Sequence, residues 1–146
     1  MGQQFKELSS KHIDFIGNQK IYFVGTAAEN GHVNLSPKGD DSLRVIDANT
    51  IVWQNLTGSG NESAAHVLLN PRMTIMFCAF EGSPLILRAY GEARVLHRND
   101  AEWSNYIDFF QKASPPGSSL YSIYHWCSPR AAHRYLTLIT KVIEIP

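Results

Sequence analysis

The stretch of sequence that decides the fold is residues 34–71, NLSPKGDDSLRVIDANTIVWQNLTGSGNESAAHVLLNP. A Pro-Lys-Gly turn is followed by two apolar runs, a Thr-Gly-Ser-Gly loop and a segment whose apolar residues recur at helical spacing. The two runs predict a β-hairpin, and the segment predicts a helix that ends before Pro71. Because Ala64, Val67 and Leu68 follow the i, i+3, i+4 pattern, we expect these residues to face the core.

The same stretch concentrates groups that bind anions. Lys38 and Arg44 lie on either side of one short bend, so both could approach the same anion from neighbouring strands. A helix that begins after a glycine-rich loop presents free N–H groups and the positive end of its dipole, which together favour a phosphate. Short hydroxyl side chains lie nearby at Ser36, Thr57, Ser59 and Ser63. The alternative interpretation is a solvated surface turn, in which Ser59 and Glu62 form an ordinary capping box.

A second hairpin is predicted upstream of this stretch. Residues 21–28 are β-branched and aromatic, and the dipeptide Asn30-Gly31 that follows them is a strong hairpin signal. The returning strand should cover residues 32–36 and stop at Pro37.

Three strands are predicted downstream. Residues 72–80 are apolar on both faces, which is typical of a central strand. Residues 85–95 alternate between apolar and polar side chains, so one face of that strand should be buried. The last strand is expected over residues 135–145.

Two further short helices complete the pattern. One should end near Gly17, and the other should be capped by Asn99. The second carries an aromatic stripe, which we interpret as core, at Trp103, Tyr106, Ile107 and Phe110. About seven strands and three short helices predict a mainly β (β+α) fold, a β-barrel with helices in its connections. A chain of 146 residues is expected to form a single domain, residues 1–146.

Composition excludes several classes of function. The chain is 44% apolar and 18% charged, and its formal net charge is zero. Such a balance is typical of a soluble globular protein and argues against nucleic-acid or membrane binding. No signal-peptide core and no run of 18 apolar residues is present, so a cytoplasmic protein is expected. Cys78 and Cys127 do not indicate a disulfide framework, and the spacing of His125, Cys127 and His133 fits no zinc pattern, so no metal is expected.

The motifs of residues 34–71, taken in order, resemble one known family. The sequence Pro-Lys-Gly-Asp, Leu-Arg-Val, Thr-Ile-Val-Trp-Gln-Asn, Gly-Ser-Gly-Asn-Glu-Ser-Ala and Asn-Pro-Arg-Met-Thr-Ile-Met-Phe is similar to the pyridoxamine 5′-phosphate oxidase-related FMN-binding split-barrel family. The later Gly-Ser-Pro-Leu-Ile-Leu-Arg-Ala-Tyr-Gly-Glu-Ala fits the next strand of that family. The resemblance covers residues 23–96.

This resemblance implies a split β-barrel that forms a homodimer and binds two FMN molecules at the subunit interface. The positions that match the family's FMN site are Ser36, Lys38, Arg44, Val45, Ile46, Asn55, Leu56, Ser59, Gly60, Asn61, Glu62 and Ser63. Of these, Lys38 and Arg44 match the strand cations that hold the phosphate. Val45 and Ile46 match positions that line the flavin ring. Glu62 and Ser63 stand where the oxidases usually have Arg and Lys.

The resemblance further implies an FMN-dependent oxidoreductase that acts on a small molecule. The vitamin oxidases bind pyridoxal phosphate with an Arg and a His of a C-terminal tail. This sequence has no match to that tail, so a true pyridoxamine phosphate oxidase is not expected. Two alternatives stay open. The first is a non-catalytic flavin-binding or stress-related module, and the second is the same fold with a deazaflavin or haem. The substrate, the electron donor and the role of residues 121–126 are not indicated by the sequence.

Overall fold

The computed structural model describes residues 4–39, 41–55, 60–111 and 135–143. The helices and strands within these ranges are α1 Ser10–Gly17, β1 Ile21–Thr26, β2 Asn34–Gly39, β3 Leu43–Asp47, β4 Thr50–Asn55, α2 Gly60–Leu69, β5 Arg72–Cys78, β6 Ile86–Leu96, α3 Trp103–Gln111 and β7 Tyr135–Ile143. None of these helices is long and apolar enough to span a membrane.

The seven described strands form one antiparallel sheet in the order β2-β1-β5-β6-β7-β4-β3. The sheet curls so that its first strand, β2, approaches its sixth, β4. This is shown by the Nζ of Lys38 on β2, which lies 5.4 Å from the ring centroid of Trp53 on β4. The edge strands β2 and β3 are not paired with each other. The result is the split barrel that the sequence predicts, with short helices in the connections.

The main core fills the inside of the barrel. It joins inward-facing side chains of β1, β4, β5 and β6 to the buried Ile16 of α1 and Val67 of α2. A smaller cluster lies on the other side of the sheet, where α3 packs Phe110 against Val52 and Leu96. Because this cluster also includes Trp103, Tyr106 and Ile107, the interpretation of the aromatic stripe as core is confirmed.

The central position of β5 and the alternation along β6 also agree with the predictions. Strand β5 lies between β1 and β6. Along β6, the inward-facing Leu87, Ala89, Ala93 and Val95 belong to the main core or pack against it. The pairing of β6 with β7 shifts register between Tyr90 and Glu92, which marks a bulge.

Three local predictions are wrong. Pro37 does not stop β2, because β2 is an edge strand and its Pro37, opposite Phe23, sits where a missing N–H is tolerated. Leu68 is 73% exposed. Helix α2 buries Gly60 and Ser63 together with the predicted Val67, and the two small residues let it lie close to the sheet. Asn99 does not cap α3, because the chain first makes a turn in which Asp100 accepts from the N–H of His97, and α3 begins at Trp103.

Burial at Ile75 gives a direct test of the packing. Ile75 on β5 is fully buried in the main core, whereas Leu69 on α2 is 76% exposed. We expect Ile75→Ala to lower the free energy of unfolding by about 2–5 kcal/mol, through lost transfer energy and a cavity. Leu69→Ala should change it by less than about 0.5 kcal/mol. Urea denaturation followed by tryptophan fluorescence measures both, and equal losses would contradict the arrangement of the barrel.

Candidate functional site

The start of α2 is attached to the end of β4 through one buried side chain. Asn55 is almost fully buried, and its amide donates to the carbonyl oxygen of Gly60 at 2.9 Å. A Cβ atom placed on Gly60 would collide with the Asn55 side chain. Only glycine therefore permits this approach, and the contact fixes where the free N–H groups of the first turn of α2 lie.

The next turns of α2 dock on the hairpin of β1 and β2 through polar contacts. Ser63, also almost fully buried, accepts from the side-chain amide of Asn34 at 3.1 Å. The Thr26 hydroxyl and Nδ1 of His66 lie 3.2 Å apart. The inward face of the hairpin is thus polar where it meets α2.

Strand β2 directs three polar residues towards the inside of the barrel. Asn34, Ser36 and Lys38 are opposite the inward-facing Thr26, Val24 and Tyr22 of β1, and cross-strand partners point to the same side. Ser36 is only 7% exposed, and its hydroxyl has no hydrogen-bond partner among the described residues. Leaving such a group unpaired costs about 1–3 kcal/mol. A ligand that accepts a hydrogen bond would remove this cost.

Lys38 continues the same row and is partly buried. Its ammonium group lies over the buried ring of Trp53, in the geometry of a cation–π contact. Burial removes water from the charged form and lowers the pKa of Lys38 below 10.5. A ligand anion beside Lys38 would compensate for this desolvation.

Arg44 is directed elsewhere. Its guanidinium donates to both carboxylate oxygens of Asp41, at 2.7 and 2.8 Å, and lies 5.0 Å from the ring centroid of Phe110. Phe110 packs on Val52, while Lys38 lies over the next residue of β4, Trp53. Successive strand residues point to opposite faces, so the structure does not bring Lys38 and Arg44 together.

The remaining predicted site residues divide in the same way. Val45 packs against the main core, whereas Ile46 packs against the cluster beneath α3. Asn61 and Glu62 are exposed on the first turn of α2. Leu56 and Ser59 lie outside the described residues, as does Thr57. The structure therefore joins Asn55 to Gly60 and Ser63 to Asn34 by hydrogen bonds, and it places Ser36 and Lys38 on the same face of β2 as Asn34.

Sequence reasoning missed Asn34, which orients Ser63, and Trp53, which contacts Lys38. The signal for Asn34 was the polar alternation at residues 34, 36 and 38, which indicates one polar face of a strand. Because the strand was predicted to stop at Pro37, Lys38 was not counted on the same face as Asn34 and Ser36. Among the described residues, no group of three or more His, Cys, Asp or Glu side chains could hold a metal. His125, Cys127 and His133 lie outside those residues.

A split barrel with a polar site between an edge strand and a helix start defines the class of protein to which this chain belongs. The family model of pyridoxamine 5′-phosphate oxidase matches residues 8–123. The chain belongs to this family, as residues 34–71 predict.

A curated relative supports the assignment. The pyridoxamine 5′-phosphate oxidase family protein ustO of Aspergillus flavus is 35% identical over 106 residues, which make up 70% of this chain and 43% of the relative. The matched region thus spans less than half the length of that protein.

Solved structures share the fold at low sequence identity. HupZ from Group A Streptococcus has a TM-score of 0.64 at 20% identity, over 91% of this chain and 88% of that chain. A pyridoxamine 5′-phosphate oxidase-related, FMN-binding protein from Nostoc punctiforme has a TM-score of 0.58 at 17% identity, over 84% and 71% of the two chains.

The lowered pKa of Lys38 predicts a dependence of stability on pH. Folding shifts this pKa downwards, so between the folded value and 10.5 the unfolded chain binds more protons than the folded protein. The free energy of unfolding should therefore gain a rising contribution from Lys38 as pH increases through that window. We expect Lys38→Met to lose this contribution, and urea denaturation at a series of alkaline pH values measures it. Lys11→Met, at an exposed site on α1, controls for the loss of one charge. An identical pH slope in wild type and Lys38→Met would contradict the assignment.

Proposed function

We propose that this protein binds FMN and acts as an FMN-dependent oxidoreductase on a small molecule. The observation that carries the proposal is the unpaired, buried hydroxyl of Ser36, which lies on the same face of β2 as Lys38 and as Asn34, the residue that contacts Ser63 of α2. Membership of the pyridoxamine 5′-phosphate oxidase family and the fold shared with an FMN-binding protein from Nostoc punctiforme support the choice of cofactor.

The donor set suits the phosphate of FMN. A phosphate oxygen accepts hydrogen bonds and carries negative charge, so it could accept from Ser36, pair with Lys38 and receive N–H groups of the first turn of α2. Because Gly60 has no side chain, the first turn of α2 can lie against Asn55, whose hydrogen bond holds that turn in place. The residues present therefore suit the phosphate of FMN in hydrogen-bonding capacity and in charge.

Glu62 distinguishes this site from that of the vitamin oxidases. It is exposed in the first turn of α2, where a carboxylate interacts favourably with the helix dipole. The same charge opposes a phosphate at that end of the helix. The site must therefore rely on Lys38, the hydroxyls and the backbone N–H groups, and its affinity should depend on Lys38 more strongly than in a site with several cations.

FMN supplies the redox chemistry when it is bound, through transfer of electrons and protons by its ring. The residues of this chain would bind the phosphate, orient the ring and limit the access of water. No side chain of the candidate site is required as a general acid or base.

We further propose that the protein is a homodimer. The outward face of β1, β2, β5 and β6 is largely apolar, and its two central cross-strand rows are Pro37-Phe23-Met76-Arg88 and Leu35-Gly25-Thr74-Tyr90. Arg88 is the one charged residue in these rows, and Leu35 is 65% exposed. A sheet face whose two central rows carry a single charge suits a symmetric contact with a second copy of the chain.

Loss of Lys38 should weaken FMN binding. We expect Lys38→Ala to cost about 1.5–3 kcal/mol of binding free energy, the usual loss for a hydrogen bond to a charged group. Titration of the apoprotein with FMN, followed by quenching of flavin fluorescence, measures the dissociation constant. Lys11→Ala is the matched control.

Arg44→Ala separates two versions of the site in the same titration. A small effect agrees with the engagement of Arg44 by Asp41, whereas a loss equal to that of Lys38→Ala would mean that both cations converge on the phosphate in the complex. Unchanged affinity in both variants would place the phosphate elsewhere.

The absorption spectrum of the purified protein distinguishes a flavin from a deazaflavin or a haem. The absence of NAD(P)H-driven turnover would favour a non-catalytic module.

A charge on the outward face should break the dimer. We expect Leu35→Lys to shift the protein from twice the chain mass of 16.4 kDa to a single chain, because a buried ammonium without a partner opposes association. Light scattering after size exclusion measures the mass. Leu69→Lys, at an exposed position on α2, should leave it unchanged. A Leu35→Lys protein that remains dimeric would rule out this face.

A further inference from the structure

Two buried amide side chains hold the two ends of the first turn of α2. Asn55 of β4 donates to the carbonyl oxygen of Gly60, at 2.9 Å. Asn34 of β2 donates to the hydroxyl oxygen of Ser63, at 3.1 Å. All three side chains in these contacts are buried, so water competes little for either bond. The turn of residues 60–63 is therefore fixed to β4 at its start and to β2 at its end.

The strand that carries Asn34 also carries the side-chain donors of the proposed phosphate site. Ser36 and Lys38 follow Asn34 at intervals of two residues, and all three lie on the inward face of β2. The Ser36 hydroxyl is buried and has no hydrogen-bond partner among the described residues, an observation that does not depend on α2. The bond from Asn34 to Ser63 thus joins the strand with these donors to the helical turn with the free N–H groups.

A second polar contact joins the same hairpin to the next turn of α2. The hydroxyl of Thr26 and Nδ1 of His66 lie 3.2 Å apart. Thr26 is buried and is directly opposite Asn34 in the pairing of β1 with β2. The N–H groups around His66 bond within the helix, so this contact docks α2 without fixing any of its free N–H groups. Comparing the two contacts therefore separates the docking of α2 from the placement of its first turn.

We propose that Asn34 is a positioning residue for the phosphate of FMN, which acts through Ser63 and does not itself contact the phosphate. This inference rests on the proposed function. Hydrogen bonds weaken steeply when their geometry departs from the optimum, so a phosphate held from β2 and from α2 needs the two at a fixed separation. The Asn34 bond sets this separation before the ligand arrives, and less binding free energy goes into ordering the turn. Without the bond, α2 keeps its attachment to β4, but its first turn can shift relative to Ser36 and Lys38.

The test compares FMN with riboflavin, which has the same ring and ribityl chain but no phosphate. Titration of the apoprotein, followed by quenching of flavin fluorescence, gives both dissociation constants. Asn34→Leu should weaken FMN binding by about three- to tenfold, less than the loss of a whole hydrogen bond to a charged group, and should leave riboflavin binding unchanged. Ser63→Ala removes the same attachment from the side of the helix and should give a similar loss. The double variant should lose no more than either single variant, because both substitutions remove one bond.

Thr26→Val is the matched control. It removes the polar contact of the hairpin with the next turn of α2 and changes the shape of the side chain little. We expect it to lower the melting temperature of the apoprotein, as Asn34→Leu does, but to leave the ratio of FMN to riboflavin affinity as in the wild type. If Asn34→Leu does not fold, the comparison of Ser63→Ala with Thr26→Val decides the question, because Ser63→Ala leaves β2 unchanged.

The inference is overturned if either first-turn variant leaves the ratio of the two affinities unchanged, or if Thr26→Val alters that ratio as much. It is also overturned if the losses of the two single variants multiply in the double variant, because Asn34 would then not act through Ser63. A wild-type protein that binds riboflavin as tightly as FMN would instead overturn the phosphate site of the proposed function, and this inference with it.

Discussion

The hydrogen bond from the Asn55 side chain to the carbonyl oxygen of Gly60 positions the first turn of α2, on which the candidate site depends. It attaches α2 to the end of β4, and the lack of a side chain on Gly60 makes the attachment close enough. With α2 in this position, Ser63 contacts Asn34 of β2 and His66 contacts Thr26 of β1. The helix is therefore bound both to β4 and to the hairpin of β1 and β2. One short contact between a strand end and a helix start thus determines the position of the first turn relative to β2.

The fold was predictable from the sequence because its strands carry strong local patterns. The hairpins, the central position of β5 and the alternation of β6 follow from β-branched runs, turn residues and the period of two. In helix α2 Val67 is buried as predicted, but Leu68 is exposed. Apolar periodicity favoured Leu68, whereas the helix packs through Gly60 and Ser63 beside Val67, and close approach of backbones is a tertiary property that hydrophobic spacing does not encode.

The candidate site was predictable only in part, for a geometric reason. Lys38 and Arg44 are six positions apart and flank a bend, so the sequence places them together. Whether they share a face depends on the register of β3 with β4, in which Arg44 is opposite Val52 and Leu43 is opposite Trp53. A shift of one residue would reverse every side chain of β3. Residue types and spacing do not determine this register, whereas the polar face of β2 could be read directly from residues 34, 36 and 38.

The order of strands has a consequence for how the chain assembles during synthesis. Among the described strands, β7 alone joins the hairpin of β3 and β4 to the rest of the sheet, and it begins 80 residues after the end of β4, at residue 135 against residue 55. As the chain leaves the ribosome, β1, β2, β5 and β6 can pair early, while the hairpin of β3 and β4 waits for β7, its partner among the described strands. An isolated hairpin is marginally stable in water, and pairing over such a separation is slow. The barrel therefore closes late, when β7, the last described strand, inserts between β6 and β4, both of which are synthesised earlier.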